Sequence, residues 1–524
     1  MMVNRNRLIV ALGLVLLLVA SAIPAAPLHA QAEVGTPAWL PAATMYSLFV
    51  RSFRDSNGDG VGDLQGVIDG LDYLQSLGVD TIWLLPIFKA TSYHGYDTID
   101  YYTVEPAYGT NDDLARLISA MHERGMYLIL DYVLNHTSID HPYFKDALGN
   151  PASPYADYFE WTNDAHTEFR SFANLGGMPT LNYESAKVRQ MALDIALHWL
   201  DPNKDGDFSD GIDGWRADVA LDVPRSYWQE MRAALNTLNP QAVMLAELYT
   251  KDAQEMRRYL QGDQFHAAFD FPAAFVLSGE FERNGDGLLS GNGDANLLGT
   301  LIRAQRNLYC KDCVSVRFTH NHDTNRLASD VMGDQGRMRL AAVWLLTAPG
   351  VPILYYGEEI GMAGNKGGGP QYYDEYRREP FDWYATEAGA GMTTWFAPAD
   401  RNNRPNDGVS VEEQHAKPES LLTLYRDLGA LRHLPTFRTG AADNPKLPMP
   451  LVMSRHWDDT ALYVAVTNFT QQPQTFPYLA TFFEPENARY DMAMGETVMA
   501  QGYSLADEVS TLAPGGYVIF RFPK

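Results

Sequence analysis

The most constraining feature of this sequence is a long alternation, from about residue 44 to 435, between short apolar runs and stretches of helical periodicity. Seven runs have the length and composition of buried strands: Thr44–Val50, Thr81–Leu85, Tyr127–Tyr132, Gly214–Val219, Val243–Ala246, Ser315–Thr319 and Val351–Tyr355. Helical spacing fills Asn111–Arg124, Val188–Leu200 and Arg337–Thr347 between them. Apolar strands alternating with helices build a parallel sheet covered on both faces. Over this length the predicted class is α/β and the predicted architecture a (β/α)8 barrel of the TIM type.

Two stretches break the alternation. Residues 137–183 are rich in aromatics, Pro, Asn and Asp without helical periodicity, and read as a small domain inserted after the third strand. From residue 436 the pattern changes to short alternating runs such as Ala461–Thr467 and Gly516–Phe522, expected to form a C-terminal antiparallel β-sandwich. The barrel is thus expected from residues 33–136 and 184–435, and the terminal domain from 436–524.

Residues 1–32 stand apart. Arg5 and Arg7 precede the apolar run Leu8–Ala20, and Ala30-Gln31-Ala32 is a small-x-small cleavage site, the pattern of a secretory signal peptide. The competing reading is a membrane anchor; a lipid anchor would need a Cys near the cleavage point, and none is there. No later run is long and apolar enough to span a bilayer. Without this segment 38 Lys and Arg face 65 Asp and Glu, a charge of about −27 that repels nucleic acid and anionic lipid. Such a surface suits a neutral substrate, bound cations and a soluble secreted or periplasmic protein. A monomer without nucleic-acid or membrane partners is expected. The two cysteines, Cys310 and Cys313, are spaced C-x-x-C; an exported chain favours a short-loop disulfide over a redox or zinc role.

Barrel enzymes place reactive groups at the carboxyl ends of their strands. Four predicted ends carry acids or imidazoles: Asp131 to His136 (DYVLNH), Gly214 to Asp218 (GWRAD), Glu247 after its apolar run, and His320 to Asp323 (HNHD). Buried acids are costly to desolvate, so several together favour function over packing. With HGYDTIDYYTVEPAYGTNDDL at 94–114, LYYGEEIGM at 354–362 and YRREPFDW at 376–383, these segments resemble, in order and spacing, the conserved regions of the α-amylase family, glycoside hydrolase family 13. The resemblance covers nearly the whole chain after residue 32.

It implies roles. Asp218 would be the nucleophile of a β-glycosyl-enzyme, Glu247 the acid and base, and Asp323 the residue that binds sugar hydroxyls and stabilises the distorted ring. His136 and His322 match histidines that bond the sugar of the central subsite, and Tyr96 matches the aromatic platform beneath it. The chemistry agrees with two flanking carboxyls, one ionised and one protonated. Arg216, two residues before Asp218 on the same strand face, would keep the nucleophile ionised. Glu247 has no basic residue beside it in sequence, which permits a raised pKa. Asp131 is expected to orient Arg216. Standing alone, each His would read as structural and Tyr96 as core.

Asp55, Asn57, Asp59 and Asp63, with the Val61 carbonyl, alternate around Gly60 in DSNGDGVGD like the start of an EF-hand loop. Family members with this loop bind calcium there, so Ca2+ is the expected cofactor; a solvated acidic turn is the alternative. DPNKDGDFSD at 201–210 has similar spacing.

Subtype is carried by fewer residues. MPTLN at 178–182 resembles MPDLN of the group intermediate between oligo-1,6-glucosidases and neopullulanases, with Thr180 in place of Asp, and Val219-Ala220 resembles enzymes that accept α-1,6 as well as α-1,4 bonds. The expectation is retaining endo-hydrolysis of α-1,4 bonds in starch and maltooligosaccharides. The alternatives are an exo-acting α-glucosidase or oligo-1,6-glucosidase, a neopullulanase- or cyclomaltodextrinase-like enzyme, and a non-catalytic glucan-binding relative. Trp457 is the one Trp that a binding surface in the terminal domain could use.

Overall fold

The computed structural model describes residues 35–281, 283–367, 373–477, 490–491 and 494–524. The segment 1–32 and residues 368–372 of the Gly-rich stretch lie outside them. Eight parallel strands close into a barrel: β1 Met45–Leu48, β2 Thr81–Leu84, β3 Tyr127–Tyr132, β4 Gly214–Ala217, β5 Val243–Ala246, β6 Ala267–Phe269, β7 Val314–Arg317 and β8 Val351–Tyr355. β1 pairs with both β2 and β8, which completes the ring. Seven strands correspond to the predicted runs. β6 is the addition, a three-residue strand whose Ala-Ala-Phe carries little apolar signal. β7 begins one residue early and ends two early, because Phe318 and Thr319 already belong to the loop.

The covering helices are amphipathic. Asn111–His122 buries Leu114, Leu117, Ile118 and Met121, one stripe at helical spacing. Thr110 and Asp113 cap each other's backbone amides at its start, a reciprocal capping box.

Between β3 and β4 the chain makes a loop-rich excursion held by isolated bridges, His136 with Thr180 and Phe159 with Leu181. Its rings cluster: Phe144 meets Phe159, Trp161 and Phe169 at centroid distances of 4.9, 5.6 and 4.8 Å. Cys310 and Cys313 form a disulfide just before β7.

The described C-terminal strands form one six-stranded antiparallel sheet: β9 Ala441–Asp443, β10 Val452–Trp457, β11 Ala461–Thr467, β12 Gln474–Pro477, β13 Glu496–Ala506 and β14 Val509–Pro523. This is the expected C-terminal antiparallel domain, and its described strands are joined through the 15-residue β14, which pairs with β11, β12 and β13 alike. In β11, Ala461, Tyr463 and Ala465 join the core that runs through the barrel, while Leu462, Val464 and Val466 join a second core. Alternate residues of a strand face opposite sides, so both faces of this sheet are covered. Among the described residues, no helix is long and apolar enough to cross a membrane.

Candidate active site

Register brings the two expected carboxyls together. Arg216 pairs with Asp131 across β3 and β4, and Ala217 pairs with Ala246 across β4 and β5. One residue further, Asp218 and Glu247 leave adjacent strands side by side, where neighbouring chains are about 4.8 Å apart. The backbone continues the register: Asp218 N donates to Tyr132 O, and Glu247 N donates to Ala217 O.

Arg216 lies between the acids. Its Nη1 is 2.8 Å from Asp131 Oδ1 and 2.7 Å from Asp218 Oδ1, and its Nη2 is 2.9 Å from Glu247 Oε2. Asp218 and Glu247 therefore hold the two terminal nitrogens of one guanidinium, while Asp131 anchors it from behind. The cation also sits over the Trp83 ring, 4.9 Å from its centroid. Arg216 is 1% exposed, Asp218 5% and Glu247 7%, so water screens these charges little.

Two electrostatic expectations change. Glu247, isolated in sequence, has Arg216 directly on it in space. Burial nevertheless dominates and pushes its pKa up, against the pull of Arg216 and with help from Asp218 and Asp323. Burial also raises Asp218, and Arg216 offsets that only in part. Arg216 limits the rise of the nucleophile's pKa without abolishing it. The pair titrates as a unit.

Val219, next after Asp218, has φ +46°, a region that β-branched residues avoid. That conformation aims its N–H at Glu247 Oε2, 2.9 Å away. The strained residue thus orients the second carboxyl.

Asp323 stands opposite, 38% exposed at the mouth of the site, with Arg378 Nη2 and His322 Nε2 both 3.1 Å from its carboxyl. Burial acts to raise its pKa, but the surrounding cations win and hold it below the usual carboxylate range. His322 is 1% exposed, and burial lowers its pKa to about 3, so it is neutral. Its Nε2 hydrogen-bonds the Tyr96 hydroxyl at 2.6 Å, and the two rings stack within 7° of parallel. The Tyr96 hydroxyl also donates to Asp131, at 3.3 Å. His136 is 1% exposed, its Nε2 lies 3.1 Å from Tyr96 O, and Phe172 stacks on its ring at 4.8 Å. That bond makes His136 a brace for Tyr96 in this geometry.

The structure thus gathers Asp218, Glu247, Asp323, Arg216, Tyr96, His136 and His322. Sequence reasoning missed Arg378, Trp83 and Phe172 as parts of the site. Arg378 lies inside the YRREPFDW segment and could have been read there. Trp83 is an ordinary strand residue in sequence, and Phe172 stands in an irregular turn beside the left-handed residues Ala173 and Asn174.

The acidic loop lies apart from these groups. Asp55 Oδ1 accepts from Asn57 N and Gly58 N, its Oδ2 from Gly60 N, Asn57 Oδ1 from Asp59 N, and Asp59 Oδ1 from Val61 N. Asp63 caps helix Leu64–Asp69 through Gly66 N. Among the described residues, no three Asp, Glu, His or Cys groups converge as a metal would require. The donor chemistry, four oxygen-bearing side chains ordered by backbone amides around a turn, fits calcium. Asp201, Asn203, Asp205 and Asp207 order their loop in the same way.

Comparison with known proteins agrees with this arrangement. Residues 47–440 match the α-amylase catalytic-domain family model. The chain is 33% identical over 416 residues to Alpha-amylase 3 of Dictyoglomus thermophilum, covering 75% of this chain and 77% of that one. It is 33% identical over 411 residues to a cyclomaltodextrinase of a Bacillus species, covering 70% of each. The crystal structure of the α-amylase from H. orenii superposes with a TM-score of 0.74 at 29% identity, covering 92% of this chain and 99% of that one. The chain belongs to the α-amylase family, glycoside hydrolase family 13, and is an enzyme that hydrolyses glucosidic bonds.

Proposed function

We propose that the protein is a retaining hydrolase of α-1,4 bonds in maltooligosaccharides, cyclic ones included, in the manner of the neopullulanase and cyclomaltodextrinase group. The observation that carries this reading is the placement of Asp218 and Glu247 on one guanidinium, with Asp323 facing them. Two carboxyls this close suit a double displacement. Asp218 attacks the anomeric carbon while Glu247 gives its proton to the departing oxygen. Glu247, now ionised, takes a proton from water, which attacks the same carbon and frees Asp218. Asp323, ionised beside Arg378, holds sugar hydroxyls, and Tyr96 supplies an apolar face for the ring.

Hydrolysis of long starch chains from within, the endo reading, is supported by the relatives named α-amylase. The cyclomaltodextrinase relative matches to a similar extent and supports action on small cyclic substrates. A time course of products from starch, pullulan and a cyclodextrin separates them. Faster opening of cyclodextrin than of starch is expected; rapid starch fragmentation with intact cyclodextrin would replace the reading by the endo one. Maltooligosaccharides blocked at the non-reducing end test exo action, since a purely exo enzyme leaves them uncut.

Calcium would be held by Asp55, Asn57, Asp59, Asp63 and the Val61 carbonyl, and would brace the loop after β1. The leader-like segment 1–32 and the acidic composition support export as a monomer.

A further inference from the structure

A cleft of about 1560 Å3 lies at the opposite end of the barrel from the carboxylates. Its walls include Ser315 at the start of β7 and Gly350 just before β8, on the amino-terminal face. Eight Arg and Lys side chains line it against two Asp, in a chain with 40 basic and 65 acidic residues. Three of those cations are neutralised: Arg317 by Asp270, Arg438 by Asp80 and Arg455 by Asp443. None of the other five forms an ion pair within 4 Å among the described residues, and Arg432 feels an acid from further off, Asp80, which already pairs with Arg438. Among the described residues, the partners of Arg303 and Arg306 are neutral groups, including the carbonyls of Asn444 and Ala442. Lys311 and Lys446 stand exposed at the edge.

Arg432 is the telling member. It is 2% exposed, and among the described residues its Nε has no hydrogen-bond partner and Nη2 makes only a long bond of 3.4 Å to Gly350 O. Burial pushes this guanidinium down to about 10, against the pull of Asp80 and with help from Arg438. A buried cation with no counter-ion in direct contact is costly. His456, also lining the cleft, is 3% exposed; its Nε2 is engaged with Thr347 O at 2.9 Å, and its Nδ1 has no partner among the described residues. Burial and the nearby Arg432 keep it neutral, with a pKa of about 3. With Nε2 donating to the carbonyl, Nδ1 is an acceptor. The cleft therefore presents a buried cation and an imidazole acceptor, ringed by further cations. A hydrogen phosphate group carries both complements, anionic acceptor oxygens and one O–H donor.

We infer that this cleft at the amino-terminal face of the barrel is a binding site for a phosphate group, borne by a sugar or free in solution, separate from the glucan site. The test uses the whole protein with inorganic phosphate, glucose 6-phosphate and glucose as probes, at ionic strength held constant with chloride. Binding is read by calorimetry and by thermal shift. Saturable phosphate binding with a raised Tm is expected, because a ligand that binds only the folded state stabilises it. Tighter binding of glucose 6-phosphate than of phosphate identifies a sugar-borne group, and equal or weaker binding identifies the free ion. The paired substitutions Lys311→Gln and Lys446→Gln should weaken binding at least roughly tenfold, the loss expected on removing charge-assisted contacts. Hydrolysis of maltooligosaccharides by that variant should be unchanged. Arg432→Met should abolish the phosphate response without lowering the Tm of the ligand-free protein. Absence of saturable binding, an equal response in the variants, or binding of glucose as tight as that of its phosphate would overturn the inference.

Discussion

Arg216 is the point where the geometry makes its sharpest quantitative demand. Replacing it with Met removes the one cation shared by Asp131, Asp218 and Glu247, while keeping much of the packing against Trp83. Two unit charges about 4 Å apart interact by about 4 kcal/mol at an effective dielectric of about 20. That energy corresponds to about three pH units in the titration of each acid. Loss of a positive neighbour raises a carboxyl's pKa, so Asp218 stays protonated to higher pH and cannot attack. Glu247 keeps its proton to higher pH as well. Both limbs of the kcat/KM profile should therefore slide to the alkaline side by up to about three units, with activity on the acid side falling by about a thousandfold. The fold should lose about 3–5 kcal/mol, since an acid cluster is left buried without its counter-ion. Adding Asp131→Asn should return part of both losses, because it removes one of the repelling charges. The assay is kcat/KM on a chromogenic maltooligosaccharide across pH, with unfolding followed by circular dichroism. A variant whose profile keeps its limbs in place and merely scales downward would refute the electrostatic reasoning.

Other outcomes follow from the same site and its supports. Asp218→Asn should lower turnover by several orders of magnitude with the Tm nearly unchanged; near-normal turnover would remove it from the nucleophile's role. Glu247→Gln should lose about 100- to 10,000-fold on natural substrates, and far less of the glycosylation rate on a glycosyl fluoride, whose leaving group needs little protonation. Phe172→Ala should raise KM for maltooligosaccharides more than it lowers kcat, by loosening His136 and so Tyr96; an unchanged KM would separate Phe172 from the substrate. Excess chelator should lower the Tm through lost linkage to the folded state; an unmoved Tm, with no metal found by elemental analysis, would remove calcium from the loop after β1.

How much could be read in advance differs between levels. Strands such as Tyr127–Tyr132 and Val351–Tyr355 were legible to the residue, because a run buried on both faces is apolar throughout. β6 was not, since three small residues give neither length nor periodicity. The catalytic candidates were legible through ordered motifs, and their adjacency follows from the Ala217–Ala246 register, which no local pattern states. The grip of Arg216 on Glu247 was invisible because it crosses between strands. The conformation of Val219 was equally hidden: valine is the last residue whose identity would suggest a left-handed turn.

The terminal sheet carries a further consequence. Because β11 sends alternate side chains into two different cores, neither layer can be lifted from the other without wetting apolar surface on both. Cutting the chain after residue 440 would strip helix Gln335–Thr347 of its partners in the sheet, where His456 meets the Thr347 carbonyl and Arg337 the Phe469 carbonyl, and would open the core it shares with Tyr463 and Ile519. Such a fragment would be sticky and short-lived rather than a smaller working enzyme. The sheet behaves as a keystone of the barrel, and melting of the whole protein should be a single cooperative event rather than a sequence of detachments.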